Sequence, residues 1–203
     1  MRALRDNRTP IRTLGVFGRF LRFSLRANAL PLLTTKQVHL RGIFEELKWF
    51  IRGDTNANHL KDVGVNIWNG NTTREFLDQR GLQHYKVGDI GALYGHQWRH
   101  FGAEYKGMSE DYRGQGYDQL NELIHTIRTD PNSRRLLLTS YNPADVSKAV
   151  LAPCHVLAQF YVSKGRLSCM MTQRSCDLGL GFAYNLASYS LFTIMLAHVT
   201  QLT

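Results

Sequence analysis

Residues 185–203 contain no Asp, Glu, Lys or Arg. Wound into a helix, this stretch is apolar all round. Such a helix has no face to offer water and must be enclosed by other elements. A membrane span is the alternative for a run of this kind, but Asn185, Ser188, Ser190, Thr193, His198 and Gln201 interrupt it with polar groups. The reading is therefore a central, buried helix in a chain with no membrane role. A length of 203 residues, 43% of them apolar, is enough for one domain with a sizeable core around that helix. No repeat or low-complexity stretch points to disorder.

The enclosing layers begin just upstream. Residues 156–163 and 166–172 read as two strands around a Ser163-Lys164-Gly165 turn. A hairpin brings the residues at its open ends together, so Cys154 and Arg174 are expected to be spatial neighbours. A free thiol has a pKa of about 8.5, and only the thiolate attacks. A nearby guanidinium favours the thiolate and grips a phosphate with a forked pair of hydrogen bonds. Cys154 is thus a candidate nucleophile, with a buried strand cysteine as the alternative. Gln173, Arg174, Ser175, Asp177 and Asn185 follow as a cluster able to hold an anionic heterocycle.

Earlier segments supply the remaining elements. Residues 13–25 are strand-like and read as strand and hairpin, with Gly18 as a bend. Leu40, Ile43, Phe44, Leu47, Phe50 and Ile51 lie on one helical face. Glu46 borders that stripe. Partial burial would raise its pKa and suit it to proton transfer; a glutamate salting the helix edge is the alternative. Residues 67–71 form a loop around Trp68. Residues 89–105 hold Tyr94, His96, Gln97, Trp98 and His100, and 108–116 reads as a surface insertion. Leu120, Leu123, Ile124 and Ile127 mark a second amphipathic helix over 118–129. A strand over 136–141 follows Arg134 and Arg135. Placed on a strand, that pair would point to opposite sides; a solvated pair is the alternative. Lys36 is either a surface lysine or a contact for a polyanionic tail.

The net charge of +9 favours anionic partners such as nucleic acid, a membrane surface or a phosphorylated metabolite. The basic residues are scattered, which weakens a nucleic-acid reading. Cys154, Cys169 and Cys176 are odd in number and lack metal-ligand spacing, so no metal is expected. Reduced thiols in an intracellular, cytoplasmic protein are the expectation, with nuclear or mitochondrial pools left open. The Arg-rich first residues have the composition of a mitochondrial presequence.

Ala-Pro-Cys-His at 152–155, Gln-Arg-Ser-Cys-Asp at 173–177 and Asn-Leu-Ala-Ser-Tyr at 185–189, in this order, resemble the thymidylate synthase family. Residues 5–25, 31–58, 65–77, 88–105 and 132–143 resemble it too, so the likeness covers nearly the whole chain and leaves too little before Arg5 for a cleavable signal. The resemblance implies an α+β fold, a mixed β-sheet packed against helices including the long buried one. It implies a single domain over 1–203 that lacks the family's C-terminal portion, hence a fragment or a truncated copy. A buried helix without that covering layer would expose apolar surface.

The resemblance also implies roles. Cys154 is the covalent nucleophile in the reductive methylation of dUMP to dTMP by 5,10-methylenetetrahydrofolate, with Glu46, Tyr94 and Asn185 as further catalytic residues. Arg8, Arg174 and Ser175 would bind the phosphate. Arg134 and Arg135 would reach the partner's site across a homodimer. His155, Gln173, Asp177 and Asn185 would meet the nucleotide, and Ile67, Trp68, Asn71, Asp177, Leu180, Gly181 and Tyr184 the folate. Pro10 and Arg12 stand where the family usually has glycines, Ala92 where it has proline, and Tyr184 where it usually has phenylalanine. Two rivals remain at this stage. A pyrimidine nucleotide hydroxymethylase shares the scaffold, although an acidic residue in place of Asn185 would suit cytosine better. A non-catalytic copy binding nucleotide or RNA is the other.

Overall fold

The structure is a computed structural model that describes residues 2–5 and 12–203, with the side chains of 2–5 and of Asn28 left undescribed. Arg8 and Pro10 lie outside the described residues. The chain divides into two compact units, Met1–Pro31 and Leu32–Thr203.

In the first unit, β1 (Arg2–Arg5) pairs antiparallel with β2 (Thr13–Val16), Arg2 opposite Val16 and Arg5 opposite Thr13. The strand expected over 13–25 ends after four residues. Gly18, at φ +67°, takes the backbone out of the extended region. Beyond it come irregular chain and a single 3₁₀ turn, Arg26–Asn28. The hairpin partner of β2 thus lies upstream of it, not downstream.

The second unit contains α1 (Leu40–Ile51), α2 (Asn58–Asp62), α3 (Arg74–Gln79), α4 (Tyr94–His100), α5 (Gln119–Thr129), β3 (Leu137–Thr139), β4 (His155–Ser163), β5 (Arg166–Gln173) and α6 (Phe182–Val199). The class is α+β, and both sheets are antiparallel among the described residues. The second sheet runs β3-β4-β5. Lys164 and Gly165, at φ +51° and +71°, make the two-residue turn that joins β4 to β5. Both central residues take positive φ because that backbone matches the twist of the strands. At the other end of β4, Val156 is an extra residue between the pairs His155–Gln173 and Leu157–Thr172, a β-bulge. Its carbonyl accepts from the Ser140 N–H and the Thr139 hydroxyl, both at 3.0 Å.

The α6 helix begins three residues before the expected start, at Phe182. It packs on β5 and α1. Phe192 at its centre is 1% exposed, stacks on Trp98 of α4 at 5.0 Å and meets Phe160 of β4 edge-on at 5.9 Å. Burial is not uniform, since Val199 near its end is exposed. On α1, Ile43, Leu47 and Phe50 are buried as the stripe requires, but Leu40 and Phe44 are exposed and Trp49 is buried in their stead. The Asp118 carboxylate caps α5 by accepting from the Asn121 N–H at 3.0 Å. Arg134 and Arg135 precede β3, as read from the sequence, and both are exposed; the strand is Leu137–Thr139, shorter than the expected 136–141. The 108–116 segment is more than a surface insertion. Tyr112 is buried, stacks on Tyr105 at 5.7 Å and accepts from the N–H groups of Lys106 and Gly107. No helix among the described residues is long and apolar enough to cross a membrane.

Phe192→Ala removes the ring that α4, β4 and α6 share. It should cost about 3–5 kcal/mol of stability. The check is a lower urea midpoint at unchanged m-value; a midpoint within error of the parent would show that this stack is not the centre of the core.

Candidate active site

Cys154 immediately precedes β4, and Arg174 immediately follows β5. Pairing of the two strands sets them side by side. The Arg174 N–H donates to the Cys154 carbonyl at 3.1 Å. The guanidinium then folds back over the same segment. Its Nε donates to the Pro153 carbonyl at 2.8 Å and its Nη2 to the Ala152 carbonyl at 2.6 Å. Held this way, Nη2 stands 3.7 Å from the Cys154 Sγ. The thiol therefore has a fixed cation beside it.

A buried aromatic wall backs the cysteine. Tyr94, the first residue of α4, accepts from the Cys154 N–H at 2.9 Å. Its ring packs against Phe50 at 4.9 Å, His155 at 5.0 Å and Trp68 at 6.3 Å. Burial, with the Cys154 sulfur adding to it, pushes the Tyr94 hydroxyl above the usual tyrosine range. Glu46 enters from α1, where its Oε1 accepts from the Trp68 indole N–H at 2.8 Å. The residue as a whole is half-buried, but protein encloses its carboxyl. Burial raises the pKa from 4.5 to about 7 against the opposing effect of that hydrogen bond.

His155 and Gln173 face each other as a pair across the β4–β5 ladder. Burial pushes the His155 pKa down to about 4, although a hydrogen bond with the Asn185 side chain works the other way, so the ring is neutral at pH 7. Two buried polar atoms here, His155 Nδ1 and Gln173 Nε2, have no hydrogen-bond partner among the described residues. Buried polar groups are nearly always paired, so these two mark a place built for something polar.

Residues 175–181 form the rim. Asp177 is committed to its own turn: its Oδ1 accepts from the N–H groups of Gly179 at 2.8 Å and Leu180 at 2.9 Å, and its carbonyl accepts from Phe182 at the start of α6. Ser175, Leu178 and Leu180 are exposed, Tyr184 and Asn185 are half-buried, and Gly181 is the N-cap of α6. Across the second unit, Ile67 is exposed and Asn71 lies half-buried in a 3₁₀ turn. Among the sequence-derived candidates, Cys154, Arg174, Tyr94, Glu46, Trp68, His155, Gln173 and Asn185 are joined by these bonds and ring contacts. The Asn71 N–H donates to the Trp68 carbonyl at 3.1 Å. Among the described residues, no such contact joins Ile67, Arg134 or Arg135 to the cluster.

Two contributors were not singled out from sequence. Tyr189 meets His155 edge-on at 5.2 Å. It sits four residues after Asn185 on α6, hence on the same helix face, and that spacing was a usable signal. Phe50 was read only as core, yet it supports Tyr94. A separate cavity of about 320 Å³, lined among others by Arg52, Asp54, His100, Asp111 and Arg113, includes none of the cluster around Cys154. No group of metal-ligating side chains occurs among the described residues.

Glu46 makes stability depend on pH. Below pH 4.5 its carboxyl is protonated in both folded and unfolded chains. Between 4.5 and about 7 the folded protein holds a proton that the unfolded chain has released, so stability falls as pH rises through that window and stays lower above it. Glu46→Gln keeps an acceptor for Trp68 and carries no such penalty. It should gain roughly 1–3 kcal/mol on the parent between pH 4 and pH 8. Urea unfolding of both proteins across that range checks this, and parallel profiles would count against a buried carboxyl.

The family described as "Thymidylate synthase" matches residues 2–203. The chain is 56% identical to thymidylate synthase of Equine herpesvirus 2 (strain 86/87), over 98% of this chain and 68% of that protein. It is 54% identical to thymidylate synthase of Bos taurus, over 98% of this chain and 56% of that one. It is 55% identical to bifunctional dihydrofolate reductase-thymidylate synthase of Leishmania amazonensis, over 98% of this chain but 38% of that protein. The chain thus spans about two fifths of the bifunctional relatives and half to two thirds of the others. A match that runs from residue 2 to residue 203, with identities above one half, places the chain in the thymidylate synthase family.

Proposed function

We propose that this chain carries the catalytic centre of a thymidylate synthase, converting dUMP to dTMP with 5,10-methylenetetrahydrofolate as co-substrate. The observation that carries this reading is the Cys154 Sγ held 3.7 Å from a tethered arginine. The unpartnered Gln173 Nε2 and His155 Nδ1 close by are suited to a polar ring and its water. Family membership makes pyrimidine chemistry the natural use of that arrangement.

Carbon 5 of uracil is a poor nucleophile. Bonding of the Cys154 thiolate to carbon 6 moves an electron pair onto the ring as an enolate, which is a good one. The Asn185 amide offers one donor and one acceptor to the uracil edge, as a carboxylate does not. Arg174 would grip the phosphate with whatever part of its fork the carbonyls of Ala152 and Pro153 leave available, and Ser175 would assist it. Glu46, with a pKa of about 7, is poised to take and return a proton near the ring. Tyr94, fixed on the Cys154 N–H, would help remove the carbon-5 proton. The folate would supply a one-carbon unit, its bond to the folate nitrogen breaking by elimination once the carbon-5 proton has gone, and then a hydride, which leaves it as dihydrofolate. Trp68, Ile67 and Leu180 offer the apolar surface, and Asn71, Asp177, Gly181 and Tyr184 the remaining contacts, that a flat pterin needs. Finally the ring re-forms its double bond and expels the Cys154 thiolate.

A second copy of the chain completes the proposed site by bringing Arg134 and Arg135 to its phosphate. Support comes from the sheet, whose outer face exposes Leu137, Tyr161 and Met170 while Ala158 and Phe160 are buried on the other side. A cytoplasmic location fits the three free thiols.

The test is mass spectrometry of the chain, and of the longer protein that contains it, after mixing with 5-fluoro-dUMP and methylenetetrahydrofolate. A covalent adduct on the Cys154 peptide is expected, and Cys154→Ser should form none. An adduct in the serine variant would move the nucleophile elsewhere, and none in the longer protein would sink the reading. Asn185→Asp should lower kcat/KM for dUMP by about 10- to 100-fold, the effect of one mismatched buried hydrogen bond. Tyr161→Glu, with a charge on the exposed sheet face, should lower the molar mass seen by light scattering; an unchanged mass would place the contact elsewhere.

A further inference from the structure

Tyr94 meets the Cys154 N–H where two chain segments run together. Residues 90–92 lead into α4, and residues 148–150 lead towards Cys154. The Ala92 N–H donates to the Lys148 carbonyl and the Val150 N–H to the Ile90 carbonyl, both at 3.1 Å. Gly91 allows this approach, since a Cβ there would collide with the Lys148 carbonyl. One side chain spans the same gap. Gln97, three residues beyond Tyr94 on α4 and 0% exposed, donates from Nε2 to the Ala92 carbonyl at 3.1 Å and to the Asp145 carboxylate at 2.9 Å. Asp145, 5% exposed, also accepts from the Asn142 amide at 2.9 Å and the Lys148 ammonium at 2.8 Å.

This bracket does not maximise stability. Both Nε2 hydrogens of Gln97 are used, but its Oε1 is buried with no hydrogen-bond partner among the described residues. An unpaired buried acceptor destabilises. Asp145 brings a carboxylate into the interior, where apolar residues of similar volume often do as well. What an apolar residue does not supply is direction. Gln97 ties the carbonyl two residues before Tyr94 to a carboxylate on the segment that runs into Cys154.

We propose that Gln97 and Asp145 are positioning residues: their bond fixes the start of α4 against residues 142–150 and so holds the Tyr94 hydroxyl on the Cys154 N–H. Neither touches the reacting atoms. The consequence for turnover rests on the proposed roles of Cys154 and Tyr94; the placement itself does not. Asp145→Asn keeps an oxygen for Gln97 and gives up only the charge facing Lys148, so it should serve. Asp145→Leu and Gln97→Met fill the volume without the bond and should not.

Two measurements on the longer protein that contains the chain test this. The first is hydrogen exchange of the peptide covering 151–156, read by mass spectrometry without ligand. Gln97→Met and Asp145→Leu should exchange it about tenfold faster than the parent, as Tyr94→Phe does, with β5 peptides unchanged. Asp145→Asn should match the parent. Gln97→Asn keeps the amide but takes it out of reach, and stands in where Gln97→Met fails to fold. The second is the rate of adduct formation with 5-fluoro-dUMP and methylenetetrahydrofolate. Gln97→Met should slow it about 10-fold while the dissociation constant for dUMP stays put, as expected of a misplaced group. A cycle with Tyr94→Phe separates positioning from general loosening. If Gln97 acts through the Tyr94 hydroxyl, Gln97→Met slows Tyr94→Phe no further; loosening alone makes the two losses multiply. Parent-like exchange in the folded Gln97 variants, multiplying losses, or Asp145→Asn behaving as Asp145→Leu overturns the proposal. Absence of any adduct in the parent would strike the catalytic reading and leave the exchange rates standing.

Discussion

The closure of one hairpin's open end is the constraint on which the site depends. A backbone bond from Arg174 to Cys154 aligns the two chain segments, and the Arg174 side chain then bonds the carbonyls of Ala152 and Pro153. Remove the guanidinium and those carbonyls lose their donors, while the sulfur loses its neighbouring charge. One residue therefore organises the backbone ahead of β4 and places its guanidinium beside the thiol. The aromatic wall adds the other half of the confinement, because the Tyr94 hydroxyl receives the Cys154 N–H. Both sides of the cysteine backbone are thus spoken for before any ligand arrives.

Burial then sorts the ionisable groups around that sulfur. It lifts Glu46 towards neutral pH and lowers His155 until the ring stays neutral. Both shifts favour uncharged forms, as desolvation always does. Among the described residues, the fixed positive charge beside Cys154 is consequently that of Arg174, an exposed residue. Among the described residues, the sulfur thus stands between a wall of low polarity and the Arg174 cation.

Local signals in the sequence were enough for the hairpin, for α1 and for α5. The Lys164-Gly165 turn could be placed because strand-like runs flank it, and the helices because their apolar residues recur with helical spacing. Asp118 was included in its helix and proved to be the cap. The failures have a common cause. Whether 13–25 stays extended depends on what covers it, and Gly18 took a positive φ instead. Tyr112 looked like part of a surface loop because nothing local shows that Tyr105 lies beneath it. Phe44 lies on the apolar stripe of α1 by spacing, but tertiary packing left it outside and buried Trp49. In the site, the expectation that Cys154 and Arg174 are neighbours followed from hairpin geometry alone. The tether of Arg174 to main-chain carbonyls, and the bonds of Lys36 to the carbonyls of Gly179 and Leu180, 143 and 144 positions away, have no sequence signature.

The extra residue at Val156 has a consequence for how such a chain can change. Below the bulge the β4–β5 ladder keeps a strict alternation set by its packing on α6; above it the alternation restarts out of phase. The bulge works as a coupling that lets the two stretches keep separate time. Substitutions that repack the lower hairpin leave the aim of the cysteine end alone, whereas deleting a single residue at the bulge would bring both stretches into one phase and rotate His155 and Cys154 together away from their partners.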